Sequence, residues 1–372
     1  MEQEIDLDFT SWLSLVLTPE YRADNRHFSS GVIDDWAEES QRRYNINLRE
    51  AYFKASKGKV DFFLGKKVYS WGKADTFNPT DNINPSGYLD FLTSEKVGVT
   101  SAALSISGVN AGLDLVYIPV FTPSRIPLPN NRWAINPENL LPPLTAYRFG
   151  DAILPERKSK NAQAGARFWA TLGSLDVAVM AYKGFEPIYA IDPEVNPETL
   201  ILELVPVYNE IEEYGLSVAS TLGEFLVYTE ASYRITESNY DDDFAAYVVG
   251  FDRSFYVGGA VDELRVVMEY LDEAFITEKA NPDRFTSELA RPFKDSVLTE
   301  FNIIFSEDVS LKLRAAYNLK AGDYLFQPEF DYSFSDTIKM EVGVDWIEGD
   351  PDTFWGNWDS NSRFFANLKI FL

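Results

Sequence analysis

The sequence predicts an all-β protein: a transmembrane antiparallel β-barrel of about 16 strands, with short periplasmic turns and long extracellular loops. Three observations predict it. Segments of about ten residues alternate apolar and polar side chains, the length and period of a tilted strand crossing a bilayer. Short connections mostly alternate with long ones. Aromatics make up 15% of the 372 residues, yet mean hydropathy is only −0.20. A barrel gives that average because lipid-facing and lumen-facing residues cancel in any window. No run of about 18 apolar residues exists, so no transmembrane helix is predicted.

Along the chain, Glu4 to Leu17 alternates Ile5, Leu7, Phe9, Leu13 and Leu15 against Asp6, Asp8, Thr10 and Ser14, and reads as the first strand. An acidic loop follows, from about Thr18 to Arg43. Two runs then meet across Ser56-Lys57-Gly58-Lys59 as a hairpin. Ile46, Leu48 and Tyr52 share one parity in the first, and Val60, Phe62, Leu64 and Val68 in the second. The hairpin opens into Trp71-Gly72 and a loop to about Lys96 with two Asn-Pro pairs. Each Pro fixes its own φ and pushes the preceding Asn out of the α region, so this loop is stiff. A weaker pair spans Val97 to Ile106 and Gly112 to Val120. Phe121 to Lys160 is the longest irregular stretch and holds seven prolines.

Ala162 to Leu172 and Leu175 to Ala181 flank a Gly173-Ser174 turn. A second Pro-rich loop starts near Glu186 and carries a ribbon at Leu200 to Tyr208, assigned to the loop rather than the wall. From Tyr214 the rhythm is regular: Tyr214 to Leu222, Phe225 to Ile235, Phe244 to Phe255, Asp262 to Glu273, Val297 to Phe305, Val309 to Leu319, Tyr324 to Phe334 and Thr337 to Ile347. Ser362 to Leu372 ends the chain as a strand. An even count lets the end strands close antiparallel, with both termini on the periplasmic side. The expected organisation is one barrel domain over residues 1–372. Met1 is followed at once by Glu-Gln-Glu, which reads as a start placed on a mature sequence.

The stretch from Asn47 to Gly87 carries a family likeness. LREAYF, a short turn, GKK in the next strand, and WG followed by DxxNPxDxxNP resemble the N-terminal hairpin of outer-membrane porins related to the alginate-export type. Gly65-Lys66-Lys67 stands where that family usually has Gly-Arg-Gln, which keeps a cation and loses an amide. The resemblance implies a porin-like barrel in a bacterial outer membrane.

Composition excludes several functions. Net charge is −25, from 58 acidic and 33 basic side chains, so nucleic acid is not an expected partner. With no Cys there is neither a disulfide framework nor a Cys-x-x-Cys-His haem site. No cofactor or metal is expected. A barrel hydrolase needs a nucleophile with a base, and the one His, His27, falls in the first long loop. A soluble sandwich or propeller also alternates, but does not call for a chain-terminal strand or aromatics at strand ends.

The expected function is passive diffusion of small hydrophilic or ionic solutes, since charges of both signs fall on the inferred inner face. The expected partners are outer-membrane lipid, the solute and a further copy of the chain. A scaffold or sheath for a partner, an adhesin, and an exporter of acidic polysaccharide are the alternatives. The candidate constriction is the loop 121–160, with Arg125, Arg132, Glu138, Arg148, Asp151, Glu156 and Arg157, anchored through Trp133, Tyr147 and Phe149. Lumen candidates on the wall are Asp114, Arg167, Glu230, Arg234, Arg265, Glu269, Glu300, Arg314, Glu329 and Glu341. Acids outnumber bases, which predicts a cation preference at low salt. Glu50 and Lys66 fall on an otherwise apolar parity, where a Lys facing lipid would cost about 2–4 kcal/mol at mid-depth. A bulge or register shift that turns them inward, or a pair across the hairpin, is therefore expected.

Overall fold

The computed structural model describes residues 4–21, 45–127, 131–134, 145–195, 197–239, 241–279, 285–286 and 294–371. His27 and Glu138 lie outside the described residues. In chain order the strands are β1 (Ile5–Thr10), β2 (Leu13–Tyr21), β3 (Ile46–Lys57), β4 (Val60–Lys67), β5 (Ser86–Gly87), β6 (Glu95–Lys96), β7 (Val99–Ser107) and β8 (Ala111–Ile118). Next come β9 (Tyr147–Phe149), β10 (Gln163–Leu172), β11 (Leu175–Phe185), β12 (Ala190–Val195), β13 (Leu202–Val207), β14 (Glu210–Leu222), β15 (Phe225–Thr236) and β16 (Asp243–Gly258). The last are β17 (Val261–Thr277), β18 (Phe285–Thr286), β19 (Ser296–Ser306), β20 (Val309–Asn318), β21 (Tyr324–Ser335), β22 (Ile338–Glu348) and β23 (Arg363–Ile370).

Seventeen of these form one antiparallel wall, a meander in which each wall strand pairs with the next one along the chain. β12 and β13 belong instead to a four-stranded sheet with β9 and β18, built wholly from long connections. The ribbon predicted at Leu200 to Tyr208 is therefore loop, not wall.

The wall has one strand more than the sixteen predicted. Glu4 to Leu17 is a hairpin, turned at Ser11-Trp12, with Leu7 opposite Leu15 and Asp8 opposite Ser14. Odd residues face odd residues across that turn, so the alternation passes through it unbroken and periodicity alone cannot reveal it. A wall of 17 strands runs β1 and β23 in the same direction, and among the described residues no ladder pairing joins them.

The two faces of the wall differ sharply. On β14, Leu216 is 45% exposed, while its neighbour Ser217 and the nearby Glu213 are buried. On β22, Trp346 is exposed and Asp345 buried, and on β17 Met268 is exposed and Glu269 buried. This inverts the usual placement of apolar and acidic residues. A wall with lipid outside and polar groups inside requires that inversion, because within the ladders the backbone is satisfied strand to strand and the side chains meet the surroundings on each face. Trp12, Leu172, Leu222 and Phe334 stay exposed beside the short turns, as an interfacial belt needs.

Leu216→Arg should cost about 2–4 kcal/mol of stability, against about 0–1 for Leu222→Arg beside the turn. Equilibrium unfolding by denaturant from lipid vesicles measures both. Equal losses would contradict the depth assigned to the two positions.

Candidate functional site: a loop folded into the barrel

The connection between β4 and β7, residues 68–98, turns into the barrel. Its neck is tied by Asn84, whose Oδ1 accepts from Tyr69 N at 2.7 Å and whose Nδ2 donates to Val97 O at 2.8 Å. Inside, β5 and β6 pair as a small hairpin, and Asp90 caps the 3-10 turn at Phe91–Thr93. Trp71 and Ile83 pack on the inner faces of β7, β8, β11 and β14 with Val99, Ala103, Val116, Ile118, Met180 and Ile211. Ala74 and Phe91 join a second cluster with Tyr228, Val248, Leu298, Ala316, Trp355 and Trp358. One loop thus touches both halves of the wall, which curls around it. Gly72 makes this path possible, since the Asn78 carboxamide fills the space a Cβ would take.

Buried carboxylates of the wall hold the loop. Glu230, fully buried on β15, accepts from Lys73 N, from Ala74 N at 2.9 Å and from Thr80 Oγ1 at 2.9 Å. Glu269, also fully buried, accepts from Asp75 N at 2.8 Å, Thr76 N at 3.2 Å and the Tyr228 hydroxyl at 2.8 Å. Glu213 accepts from Asn82 Nδ2 and from Arg234 Nε at 3.1 Å. Arg234 also donates to Glu186 at 2.6 Å. Arg265 binds Asp252 at 2.7 Å, reaches Asp75 at 3.4 Å and lies 3.9 Å from Glu300. Burial raises the Tyr88 and Tyr189 phenols above their ordinary pKa, so both stay neutral.

The other wall candidates pair with one another. Arg167 lies 3.9 Å from Asp114, which accepts from Ser105. Arg314 donates to Glu329 at 3.0 Å. Glu329, Asp331 and Glu341 bring carboxylate oxygens within 4.8 Å of one another, the spacing of a metal site. Lys312, Lys339, Lys369 and Arg314 already contact the three acids, so the group is an ion-pair ladder with its charge compensated.

The loop 121–160 divides. Arg125 is buried and its backbone bonds to Ser86 and Tyr88 of the inward loop. Arg132 donates to Asn361, and Trp133 is buried against Trp358. Tyr147, Arg148 and Phe149 form β9 in the small sheet, where Arg148 pairs with Glu203, and Asp151 is exposed. Glu50 accepts from Val68 N at 2.9 Å and lies 3.9 Å from Lys67, so its partner is Lys67 rather than Lys66. Lys66 is buried and donates to Asn47 at 3.3 Å. A register shift in β3 opposite Thr18-Pro19 and a φ of 136° at Gly65 accompany these positions, in keeping with the bulge expected there.

Sequence reasoning did not single out Glu213, Glu186, Asp75, Asp81, Asp252 or Asp345. Glu213 and Asp345 could have been found, since each shares the inward parity of its strand with small or polar neighbours. Asp75 and Asp81 stand in the DxxNPxDxxNP stretch, which marked the loop but not a role for its acids.

A cavity of about 530 Å³ lies between this loop and β19, β20 and β21. The loop side supplies Asp75, Asp81, Asn82, Ser86, Tyr88 and Lys96, and the wall side Leu298, Glu300, Arg314, Leu325 and Gln327. Glu186 and Arg234 also line it.

The fold is that of the outer-membrane β-barrels, and with the apolar outer face it places the chain in a bacterial outer membrane. Among similar solved structures is Wzi of Escherichia coli, described as an outer membrane protein involved in group 1 capsule assembly and a carbohydrate-binding β-barrel. It shares 12% identity at a TM-score of 0.53, over 99% of this chain and 77% of that one. OmpT of Vibrio cholerae, an outer membrane protein in trimer form, matches at 10% identity and TM-score 0.43, over 93% and 79% of the two chains. A mutant of the Rh. blastica porin matches at 12% identity and TM-score 0.37, over 88% and 91%. No protein-family model matches the chain, and no curated protein matches it.

Glu230→Ala would leave three loop donors without their acceptor, each such loss costing about 1–3 kcal/mol. Proteolytic nicking within residues 73–82 should accelerate roughly tenfold or more. Glu230→Gln, which keeps one acceptor oxygen, should fall between. Limited proteolysis of the folded protein in detergent reads the effect.

Proposed function

We propose that this barrel conducts small hydrophilic solutes across the outer membrane, through a passage between the inward loop 68–98 and wall strands β19, β20 and β21. The observation that carries this reading is the cavity of about 530 Å³ along that line, with charged and hydroxyl side chains on both of its sides. The partners in this reading are the surrounding lipid and a small hydrophilic or ionic solute. Fixed charges replace part of a permeant's hydration, and weak, multiple contacts let it leave. The lining carries Asp75, Asp81, Glu95, Glu186 and Glu300 against Lys96, Arg234 and Arg314. That balance favours cations in dilute salt, less so as screening grows.

A second reading is a barrel that binds carbohydrate without conducting; Wzi is described as a carbohydrate-binding β-barrel. The loop that occupies the lumen favours it.

In planar bilayers the reversal potential in a dilute KCl gradient should show cation preference, and anion preference would contradict the acidic passage. Deleting residues 73–84 should raise conductance several-fold, whereas deleting 146–152 should leave it unchanged. A wild-type barrel that passes no current while the 73–84 deletion conducts would favour the second reading.

A further inference from the structure

Away from the cavity, near the Gly173-Ser174 turn, the inner face of the wall carries an aromatic platform with a polar rim. On β10 the inward Arg167, Trp169 and Thr171 alternate with Phe168, which is exposed on the lipid side. Trp169 is half-buried and lies over Gly112 of β8. A Cβ on that glycine would stand 2.5, 2.6 and 2.8 Å from the indole Cζ2, Cε2 and Nε1. Three ring atoms at nearly equal range mean that one face of the indole covers the glycine and the other face looks into the lumen. The strand register sets a carboxylate at each end of this row, Asp114 beside Arg167 and Asp176 beside Thr171. A hydroxyl fixes one oxygen of each: Ser105 donates to Asp114 Oδ1 at 2.5 Å, and Thr171 to Asp176 Oδ1 at 2.6 Å. The other oxygen of each has its cation only at 3.9 Å, Arg167 for Asp114 and Lys73 of the inward loop for Asp176. Arg167 Nε is enclosed, whereas both Oδ2 atoms and the Arg167 Nη groups keep access to the lumen.

From this geometry we propose that the patch binds a short neutral oligosaccharide, one sugar ring stacked on Trp169 and the hydroxyls around it bonded to Asp114, Arg167 and Asp176. A pyranose ring has an apolar C–H face and an edge of hydroxyls, so it covers an aromatic face while its edge meets the polar rim. Each hydroxyl both donates and accepts. It can give a proton to a carboxylate Oδ2 and take one from an Arg167 Nη, and bonds to charged groups are the stronger kind. An anionic ligand would be repelled by the two carboxylates, and a simple cation would leave the guanidinium donors unused. Arg167 and Thr171 are about 13 Å apart along β10, at roughly 3.3 Å per residue. That row is longer than one sugar ring, which calls for an oligosaccharide. The proposal rests on the carbohydrate reading and gives it a place on β8, β10 and β11, whether or not the barrel also conducts.

Calorimetric titration of the full chain, in a detergent without a sugar headgroup, tests it with maltotriose and cellotriose as probes and trigalacturonate as their acidic counterpart. At least one neutral trisaccharide should bind, and at least tenfold more tightly than trigalacturonate. Trp169→Ala should weaken that binding at least tenfold, and Trp169→Phe and Asp176→Asn severalfold each. Trp346→Ala, on the outer face of β22, should leave it unchanged. Binding of neither neutral sugar, or binding of trigalacturonate as tight as theirs, would overturn the proposal. Neutral-sugar binding that survives both Trp169→Ala and Asp176→Asn refutes this site and leaves the carbohydrate reading standing, whereas binding of none of the three sugars counts against both. Should Trp169→Ala fail to fold, Trp169→Phe and Asp176→Asn decide, because Asn keeps an acceptor for the Thr171 hydroxyl.

Discussion

A carboxylate withdrawn from water loses several kcal/mol of hydration unless donors replace it. The wall places three such groups, Glu213, Glu230 and Glu269, at zero exposure on β14, β15 and β17. The loop 68–98 has the complementary difficulty. It runs through the barrel interior with no ladder partner for the backbone between Lys73 and Thr76, and buried N–H groups are rarely left unpaired. Each side resolves the other, because the carboxylates accept from Lys73, Ala74, Asp75 and Thr76. Loop and wall are therefore coupled: neither keeps its polar groups satisfied in that position without the other.

The coupling is lopsided, and the lopsidedness shapes the lumen. Contacts to the loop from buried wall charges come from β14, β15 and β17. On β20 to β23 most inward charges satisfy one another across the ladder, as Lys312, Lys339 and Lys369 do with Glu329, Asp331 and Glu341, while Arg363 alone of these reaches the loop, at Asp90. A wall region whose charges are already paired has no need of the loop. The loop meets the buried carboxylates of β14, β15 and β17, whose wall partners leave acceptor capacity over, and the open space remains in front of β19, β20 and β21. Which residues are self-paired thus determines where the cavity lies.

Much of this was legible in the residues and some of it was not. Period-two alternation placed most wall strands within a residue or two, since the two faces of a lipid-bounded wall impose it directly. The Ser11-Trp12 turn escaped because paired odd positions carry the alternation through it. Inward parity marked Glu230 and Glu269 as lumen residues, but their partners are backbone groups more than 150 residues away, which no side-chain pattern records. The Asn-Pro pairs announced a stiff loop without its direction, because stiffness is shared with the Pro-rich stretch 121–160. Direction comes from Trp71 and Ile83, which have an apolar inner wall to pack on, and from Gly72, which admits Asn78 at close range. For Glu50 and Lys66 the parity argument expected a bulge, a register shift or a pair across the hairpin; the register shifts in β3 opposite Thr18-Pro19, and Glu50 meets Lys67, one residue beyond Lys66.

The loop also answers a problem posed by the wall itself. With 17 strands, β1 and β23 run in parallel, and no ladder pairing joins them among the described residues. A sheet end without backbone bonds is a weak line in a membrane, where unpaired N–H and C=O groups find no water. Arg363 at the start of β23 binds Asp90 of the loop and Asp345 of β22 together. The same loop grows out of β4, and Asn84 fixes its neck to Lys67 O at 3.1 Å. Asp90 and Arg363 therefore connect the last wall strand to the early ones through the interior, bypassing the ends that do not pair. A segment that fills space in the lumen acts in this way as an internal tie between the two ends of the sheet, so its attachment bears on the integrity of the barrel as well as on the width of the passage beside it.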